Sequence, residues 1–372
     1  MPVKNRIHLI LGYACNHHCR YCVQELNGRP PNFTKHVSPV VFESLNAMAR
    51  SIAPLKLRIT FFGGEPLLYL SALKDVLANV REPNIVWKIH SNGELLNEEV
   101  VDLFNSRSIR FGLSHDGPNV LETRYVDVLA NPRRIELFNA LQNKSVNVVL
   151  TSYTQDLYGV LDYFTQTFGN NDWRFTPLFL VNPSQIPKDM LRFDYVAWEK
   201  TVKRLCNRAE KQILEGRANQ ARSWEAEAVS RAIGDYLCPV DDNPFIRQNE
   251  RCSAIHMNCA GQISMCERLE KHRIRILNAD HEQVRFAKGF LEYTKAQHPC
   301  CADCEAFAYC RGQCPVEAVS KASEQCRLLR IYYHEIRKTH RRLFKKDPVA
   351  LQKALLNFLS AEFRARHGLF QN

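Results

Sequence analysis

The chain has 372 residues, 45% of them hydrophobic and 24% charged, with a formal net charge of +11. That length has room for two or three domains, and the balance is that of a globular protein, not a disordered or fibrous one. No apolar run reaches the roughly 18 residues needed to span a membrane, and residues 1–15 lack the parts of a secretion signal, so a cytoplasmic protein with no membrane partner is expected. Fourteen cysteines is a high number. With no export signal a disulfide scaffold is not expected; nine of the fourteen fall between Cys252 and Cys326, which suits metal sites.

The first apolar strand covers residues 6–12 and runs into Cys15-Asn16-His17-His18-Cys19-Arg20-Tyr21-Cys22. Three thiolates at C-x3-C-x2-C can hold three irons of a cubane cluster, which normally takes four Cys ligands. The next cysteine is Cys206, so one iron is left open for a substrate or cofactor. The alternative is half of a zinc site, although zinc motifs more often pair C-x2-C with a second pair. The polar, Pro-containing stretch from Cys22 to Val40 is expected to cover the mouth of the fold.

Strands are predicted at 57–62, 85–90, 109–114, 146–151 and 173–179. Helical patterns alternate with them at Val40–Ile52, Ala72–Asn79, Asn97–Ser106 and Leu157–Thr167. The second strand ends in Gly63-Gly64-Glu65-Pro66. Paired glycines allow close backbone approach to a ligand, and a carboxylate beside them can take an ammonium. The next two strands end in Ser91-Asn92-Gly93 and Ser114-His115-Asp116-Gly117. Six β/α units with polar strand ends predict a parallel α/β sheet, an incomplete TIM-like barrel, over residues 1–182.

Residues 183–237 form a helical linker region, opened by Pro183 and Pro187. Trp198, Val202, Leu205, Ile213 and Leu214 make its apolar face, with Cys206 an inert helix residue. A small Cys-rich domain occupies 238–327, and a basic C-terminal helical tail follows over 328–372. Residues 327–372 carry eleven Lys or Arg against three acids. Such a tail is either a solvated helix face or a surface for an acidic peptide or nucleic acid. Leu328, Leu329, Ile331, Ile336, Leu343 and Phe344 are expected to dock it, leaving Arg341, Arg342, Lys345 and Lys346 outward.

The Cys triplet, Gly63-Gly64-Glu65-Pro66 and the two polar strand ends together resemble the radical S-adenosylmethionine (radical SAM) enzymes. The resemblance implies that Cys15, Cys19 and Cys22 hold a cluster whose open iron chelates SAM, and that one electron then yields a 5′-deoxyadenosyl radical. It places Tyr21 near the adenine and the Gly63, Gly64, Glu65, Pro66 motif on the SAM amino group. Asn92 and Ser114 would face ribose and carboxylate, and Arg124 the carboxylate. Ser91 and His115 depart from the usual residues of these motifs.

Downstream, Cys252, Cys266, Cys301-x2-Cys304-x5-Cys310-x3-Cys314 and Cys326 resemble the SPASM domain of peptide-modifying radical SAM enzymes. That domain carries two auxiliary clusters, so three 4Fe-4S clusters and SAM are the implied cofactors. The resemblance assigns Cys301, Cys304, Cys310 and Cys326 to the second auxiliary cluster, and Cys252, Cys266 and Cys314 to the first. Cys238, or else Cys259, is the fourth ligand of the first. A four-thiolate zinc site is the alternative for the Cys301–Cys314 run.

A peptide or protein substrate follows from the SPASM resemblance, with a one-electron donor such as flavodoxin or ferredoxin. Leader recognition falls to a separate leader-binding protein, to residues 190–236 or to the basic tail. Glu267, directly after Cys266, matches an Asp that is the base in sulfatase maturases; it is either a catalytic base or a solvated loop acid. The expected function is a peptide maturase that installs a crosslink or other oxidative modification in a ribosomally made precursor. Anaerobic sulfatase maturation, forming formylglycine, is the alternative within the class. A Cys-rich zinc protein that binds nucleic acid is the alternative outside it; for the radical SAM reading nucleic acid is not an expected partner.

Overall fold

A computed structural model describes residues 5–26, 36–169, 172–179, 186–218, 223–237, 254–264, 304–306 and 324–356. They fall into two compact units. The first comprises residues 1–149, 160–187 and 251–284, and the second 150–159, 188–250 and 285–372.

The first unit is built on one open sheet. Its strands are β1 (Arg6–Gly12), β2 (Leu57–Gly63), β3 (Ile85–Ser91), β4 (Arg110–Ser114), β5 (Lys144–Leu150), β6 (Arg174–Phe179), β7 (Ala254–Asn258) and β8 (Ile263–Ser264). They lie in the order β6-β5-β4-β3-β2-β1-β7-β8. β1 to β5 and β7 pair in parallel, whereas β8 returns antiparallel to β7. This is the partial barrel expected from the sequence. It is two strands wider than expected, because β7 and β8 come from the Cys-rich region and extend the sheet beyond β1.

The register sorts the strand residues onto two faces. Ile7, Leu9, Ile59, Phe61, Ile89, Phe111, Leu113, Val146 and Val148 share one face and are buried. The helices pack on that face: α1 (Pro39–Ile52), α2 (Leu70–Asn79), α3 (Glu98–Ser106), α4 (Pro132–Ala140) and α5 (Leu157–Phe168). Phe111 meets Phe104 of α3 and Phe138 of α4, and Phe138 packs on Phe168 of α5. Helix α4 is not evident from apolar spacing; its signal is Asn131-Pro132, where Asn131 Oδ1 accepts from Arg133 N at 3.0 Å and Pro occupies the first turn. The opposite, concave face carries His8, Thr60, Phe62, Lys88, His90, Asn147 and His256, one residue out of phase with the core set.

The second unit is helical: α6 (Tyr195–Leu214), α7 (Trp224–Leu237), α8 (Glu324–Lys346) and α9 (Pro348–Leu355). Asp194 caps α6, accepting from Val196 N and Ala197 N at 2.9 and 3.0 Å. Helix α8 packs on α6 and α7, and the indole of Trp198 donates to Leu328 O at 3.1 Å. The helical unit differs from expectation at its seam and at its tail cations. Phe344 is 64% exposed and Leu214 on α6 is 37% exposed, so neither belongs to the buried seam. Of the four cations expected outward, Arg342 and Lys346 turn back and donate to buried Glu210 of α6, each at 2.7 Å. A carboxylate held off water on α6 is a stronger partner for them than solvent.

No helix among the described residues is long and apolar enough to cross a membrane.

Burial pushes the Glu210 carboxyl up, but the Lys346 and Arg342 hydrogen bonds prevail and hold it below its ordinary 4.5. A depressed carboxyl stabilises the folded state above its unfolded pKa and loses that contribution as pH falls through the folded one. Amide-exchange protection at the C-terminal end of α8 is therefore expected to be constant above pH 4.5 and to fall below it. Glu210→Gln should lower the protection near neutral pH and abolish the acid-dependent step. A step that persists in Glu210→Gln would assign it to another group.

Candidate functional site

The three N-terminal cysteines sit on the loop after β1, at the C-terminal end of the sheet, where parallel α/β folds place their ligands. The loop is tied to the end of β2 by main chain alone: Gly64 N donates to Gly12 O at 2.9 Å and Glu65 N to Ala14 O at 2.8 Å. A Cβ on Gly64 would lie 2.1 Å from Ala14 O, and one on Gly63 2.2 Å from Gly12 O. Gly63 also has φ +128, open only to glycine at little cost. The paired glycines therefore serve first to let the cysteine loop lie against β2. Tyr69 completes the seat, its hydroxyl accepting from Ala14 N at 2.9 Å.

Glu65 is 1% exposed. Its Oε1 accepts from Leu67 N at 3.0 Å and from the Ser91 hydroxyl at 2.9 Å, and its Oε2 from Asn92 N at 2.7 Å. Burial pushes its carboxyl up against the pull of these donors. A carboxylate has about four acceptor positions, so one is left for an ammonium. Glu65 thus braces β2 to β3 as well as offering a ligand position. Asn92 bridges to the cysteine loop: its Nδ2 donates to Asn16 Oδ1 at 2.8 Å and lies 4.0 Å from Cys15 Sγ. Asn16 and His17 both meet Glu94 Oε2, at 2.7 and 2.6 Å.

On the other side of the loop lies Asp116, fully buried. Its Oδ2 accepts from the hydroxyls of Tyr21 (2.6 Å) and Thr123 (2.7 Å) and from Arg124 Nε (3.1 Å), and its Oδ1 from Val149 N (3.0 Å). Burial opposes charge on Arg124, but Asp116 and the groups around it hold the guanidinium firmly protonated. Arg124 lies 5.2 Å from the Tyr21 ring centroid, and its Nη1 is 3.7 Å from Cys19 Sγ. Ser114 is half-buried at the end of β4, in register with Asn147. His115, the departure in that motif, is buried and pairs with Asp127 at 2.9 Å.

Cys15, Cys19 and Cys22 are partly exposed. Among the described residues no three His, Cys, Asp or Glu side chains converge as a single-ion site requires; thiolates that each take a different iron need no such convergence. The donors aimed at sulfur suit an anionic cluster: His17 N is 3.4 Å from Cys15 Sγ, and the Asn92 amide and Arg124 guanidinium add theirs. Burial pushes the Cys19 thiol up to about 11, with Arg124 opposing, so a thiolate there would need the added stabilisation of a metal.

In the second unit, Cys304 and Cys326 line one cavity of about 600 Å³, with Arg327 and Arg330 beside them. Cys326 lies in the first turn of α8, where the helix dipole favours negative charge. Cys259 is fully buried after β7 and points its thiol at Ile10 O and Leu11 O, 3.6 and 3.4 Å away. Cys238, the alternative fourth ligand, stands where the structure is not described. Cys238, Cys252, Cys266, Glu267, Cys301, Cys310 and Cys314 lie outside the described residues.

Residues 9–158 match the radical SAM superfamily model. The chain carries a radical SAM domain. A stretch of 117 residues is 30% identical to an uncharacterized protein of Methanocaldococcus jannaschii, over 30% of this chain and 38% of the relative, so the chain spans well under half of that protein. Among solved structures, anSMEcpe with bound AdoMet superposes with TM-score 0.64 at 19% identity, over 93% of this chain and 99% of that one. Streptococcus suis SuiB bound to precursor peptide SuiA superposes with TM-score 0.50 at 15% identity, over 76% and 63%. At these identities the likeness is one of fold.

In the first unit, Asp116 and the histidines of the concave face are not singled out in the sequence analysis. Asp116 stands inside a motif read for Ser114, and its Gly117-Pro118 neighbours suggest only a turn. His8 and Lys88-x-His90 do carry a signal: polar residues alternate with core residues along β1 and β3, marking an inward face.

The glycine contact yields a direct expectation. Gly64→Ala must displace Ala14 and with it the Cys15 loop, so SAM affinity measured calorimetrically on reconstituted enzyme should fall at least about ten-fold, or roughly 1.4 kcal/mol. Leu68→Ala, an exposed position on the same turn, should leave it unchanged. Wild-type affinity in Gly64→Ala would show that the loop does not need this approach.

Proposed function

We propose that this chain is a radical SAM peptide maturase that acts on a ribosomally made precursor and installs a crosslink or other oxidative modification. The observation that carries the reading is the cysteine loop held between two buried carboxylates, Glu65 and Asp116, at the ends of parallel strands. Cys15, Cys19 and Cys22 would hold the first cluster, leaving one iron for SAM. A reduced cluster and bound SAM together would supply a carbon radical able to take hydrogen from an unactivated substrate carbon.

The chain's own residues set the stage for this chemistry. Glu65 takes the ammonium of SAM in its remaining acceptor position. Arg124, fixed by Asp116 beside Cys19, presents cationic charge to the SAM carboxylate, and Tyr21 is locked by the same aspartate. Asn92 holds the loop and leaves its strand end facing the ribose, with Ser114 beyond it. Two further clusters would sit in the Cys-rich region, on Cys301, Cys304, Cys310 and Cys326 and on Cys238, Cys252, Cys266 and Cys314. The cavity shared by Cys304 and Cys326 supports the first of these sets. Glu267 would take the proton that a two-electron oxidation releases. A flavodoxin or ferredoxin would donate electrons, and a separate protein would bind the leader.

Sulfatase maturation is the second reading. It takes support from the extent of the anSMEcpe match, 99% of that chain. That protein has also been solved with AdoMet and a peptide, Cp18Cys.

Anaerobic reconstitution should give about twelve irons per chain, four per cluster, with matching sulfide. Cys19→Ala should retain about eight and lose 5′-deoxyadenosine formation entirely. Stoichiometric zinc with little sulfide, or continued SAM cleavage by Cys19→Ala, would overturn the assignment.

A further inference from the structure

The cavity of the second unit holds a polar group that the cysteines do not account for. Tyr195, the first residue of α6, lines the same space as Cys304 and Cys326. At about 600 Å³ the cavity has the size of a ligand pocket. The Tyr195 hydroxyl oxygen is buried and has no hydrogen-bond partner among the described residues. A buried tyrosine ordinarily finds a partner for its hydroxyl, and one left without it is costly.

Two contacts hold the ring in place. The guanidinium carbon of Arg327 lies 4.0 Å from the Tyr195 ring centroid and covers one face. One turn further along α6, the Trp198 indole donates to Leu328 O at 3.1 Å, so the start of α6 is tied to the turn of α8 that carries Cys326 and Arg327. The charges around the cavity are uneven. Glu199 pairs with Lys203 at 2.5 Å, Glu305 with Arg337 at 3.5 Å and Glu335 with Lys338 at 2.9 Å. Each of these lining acids therefore has its own cation, whereas neither Arg327 nor Arg330 has a carboxylate partner among the described residues.

An apolar occupant would leave the hydroxyl unpaired, and a cation would meet two guanidinium groups. An anionic group with acceptor sulfurs answers both, and the two cysteines of the same cavity name it. We propose that the Tyr195 hydroxyl donates a hydrogen bond to a sulfur of an iron–sulfur cluster seated on Cys304 and Cys326, and that with Arg327 and Arg330 it raises the reduction potential of that cluster. The inference rests on the maturase reading for the presence of the cluster. A cluster gains one negative charge with each electron it takes. Hydrogen bonds to its sulfurs and cations beside it favour the more negative state. Tyr195 stands on α6, outside the cysteine-rich region, so its role follows from packing and not from cysteine spacing.

The test is an anaerobic redox titration of the reconstituted full chain with dithionite, followed by EPR of the reduced clusters. Cys19→Ala serves as background because it removes the first cluster, and the signal that Cys304→Ala then removes belongs to the cavity. Tyr195→Phe keeps the ring and its guanidinium stack and deletes only the hydroxyl. In that variant the ratio of reduced to oxidised cavity cluster at a fixed potential should fall about ten-fold, a downward shift of about 59 mV for a one-electron step. Arg330→Gln should shift the same signal in the same direction, and a signal that survives Cys304→Ala should not move in either variant. An unchanged potential in Tyr195→Phe, with the cluster retained, would overturn the proposal. If Tyr195→Phe does not hold the cluster, 3-fluorotyrosine at position 195 decides, because its hydroxyl is the stronger donor: the potential should rise, and no rise overturns the proposal. If Cys304→Ala loses neither iron nor signal, no cluster stands in the cavity, and the cluster assignment falls together with the inference. A cluster that is present at an unchanged potential sinks the inference alone.

Discussion

The site depends on one close main-chain contact. Gly63 and Gly64 allow the end of β2 to lie against Gly12–Ala14, so closely that any side chain at Gly64 would sit 2.1 Å from a carbonyl oxygen. The loop's other ties are the Glu94 bracket through Asn16 and His17 and, on its far side, the Tyr21 hydroxyl on Asp116. Fixing a loop costs roughly 1–2 kcal/mol per residue in backbone entropy. Two peptide hydrogen bonds and the Tyr69 seat offset part of that cost before any cluster binds. Cysteines preplaced in this way lower the ordering demanded of the metal.

Around that contact stand two buried carboxylates with different tasks. Glu65 is satisfied by two main-chain amides and one hydroxyl, and no cation pairs with it among the described residues. It is an anion still owed a positive partner, which fits a ligand ammonium. Asp116 is already matched by Arg124 and by three further donors. A buried ion pair of this kind is weak evidence of stability, but it fixes a guanidinium 3.7 Å from Cys19 Sγ. One carboxylate is therefore set to receive charge from a ligand and the other to hold the protein's own charge in position.

The first six strands were legible in the sequence because their core faces are continuous: Ile7, Leu9, Ile59, Phe61 and Phe111 recur at period two between Gly and Asn punctuation. The motif residues were legible because glycine and cysteine spacing carries chemistry directly. What escaped notice depends on pairing across the chain. β7 is a five-residue run whose place beside β1 follows from register, with His256 opposite His8. Asp116 earns its role only through Tyr21 and Arg124, 95 and 8 residues away in sequence. The tail cations Arg342 and Lys346 looked solvated because Glu210, their partner, stands on a helix more than a hundred residues earlier.

The same logic separates the two faces of the sheet. The outer face is specified by transfer free energy, which needs only apolar residues at the right period, and many sequences meet it. The concave face keeps three imidazoles, a lysine and an asparagine off water, each at a desolvation cost that packing does not require. Asn147 and His90 satisfy one another, but Nδ1 of His8 and of His256 are left unpaired. A stable fold alone gives no reason to hold such groups there, since apolar residues of similar volume would serve the sheet better.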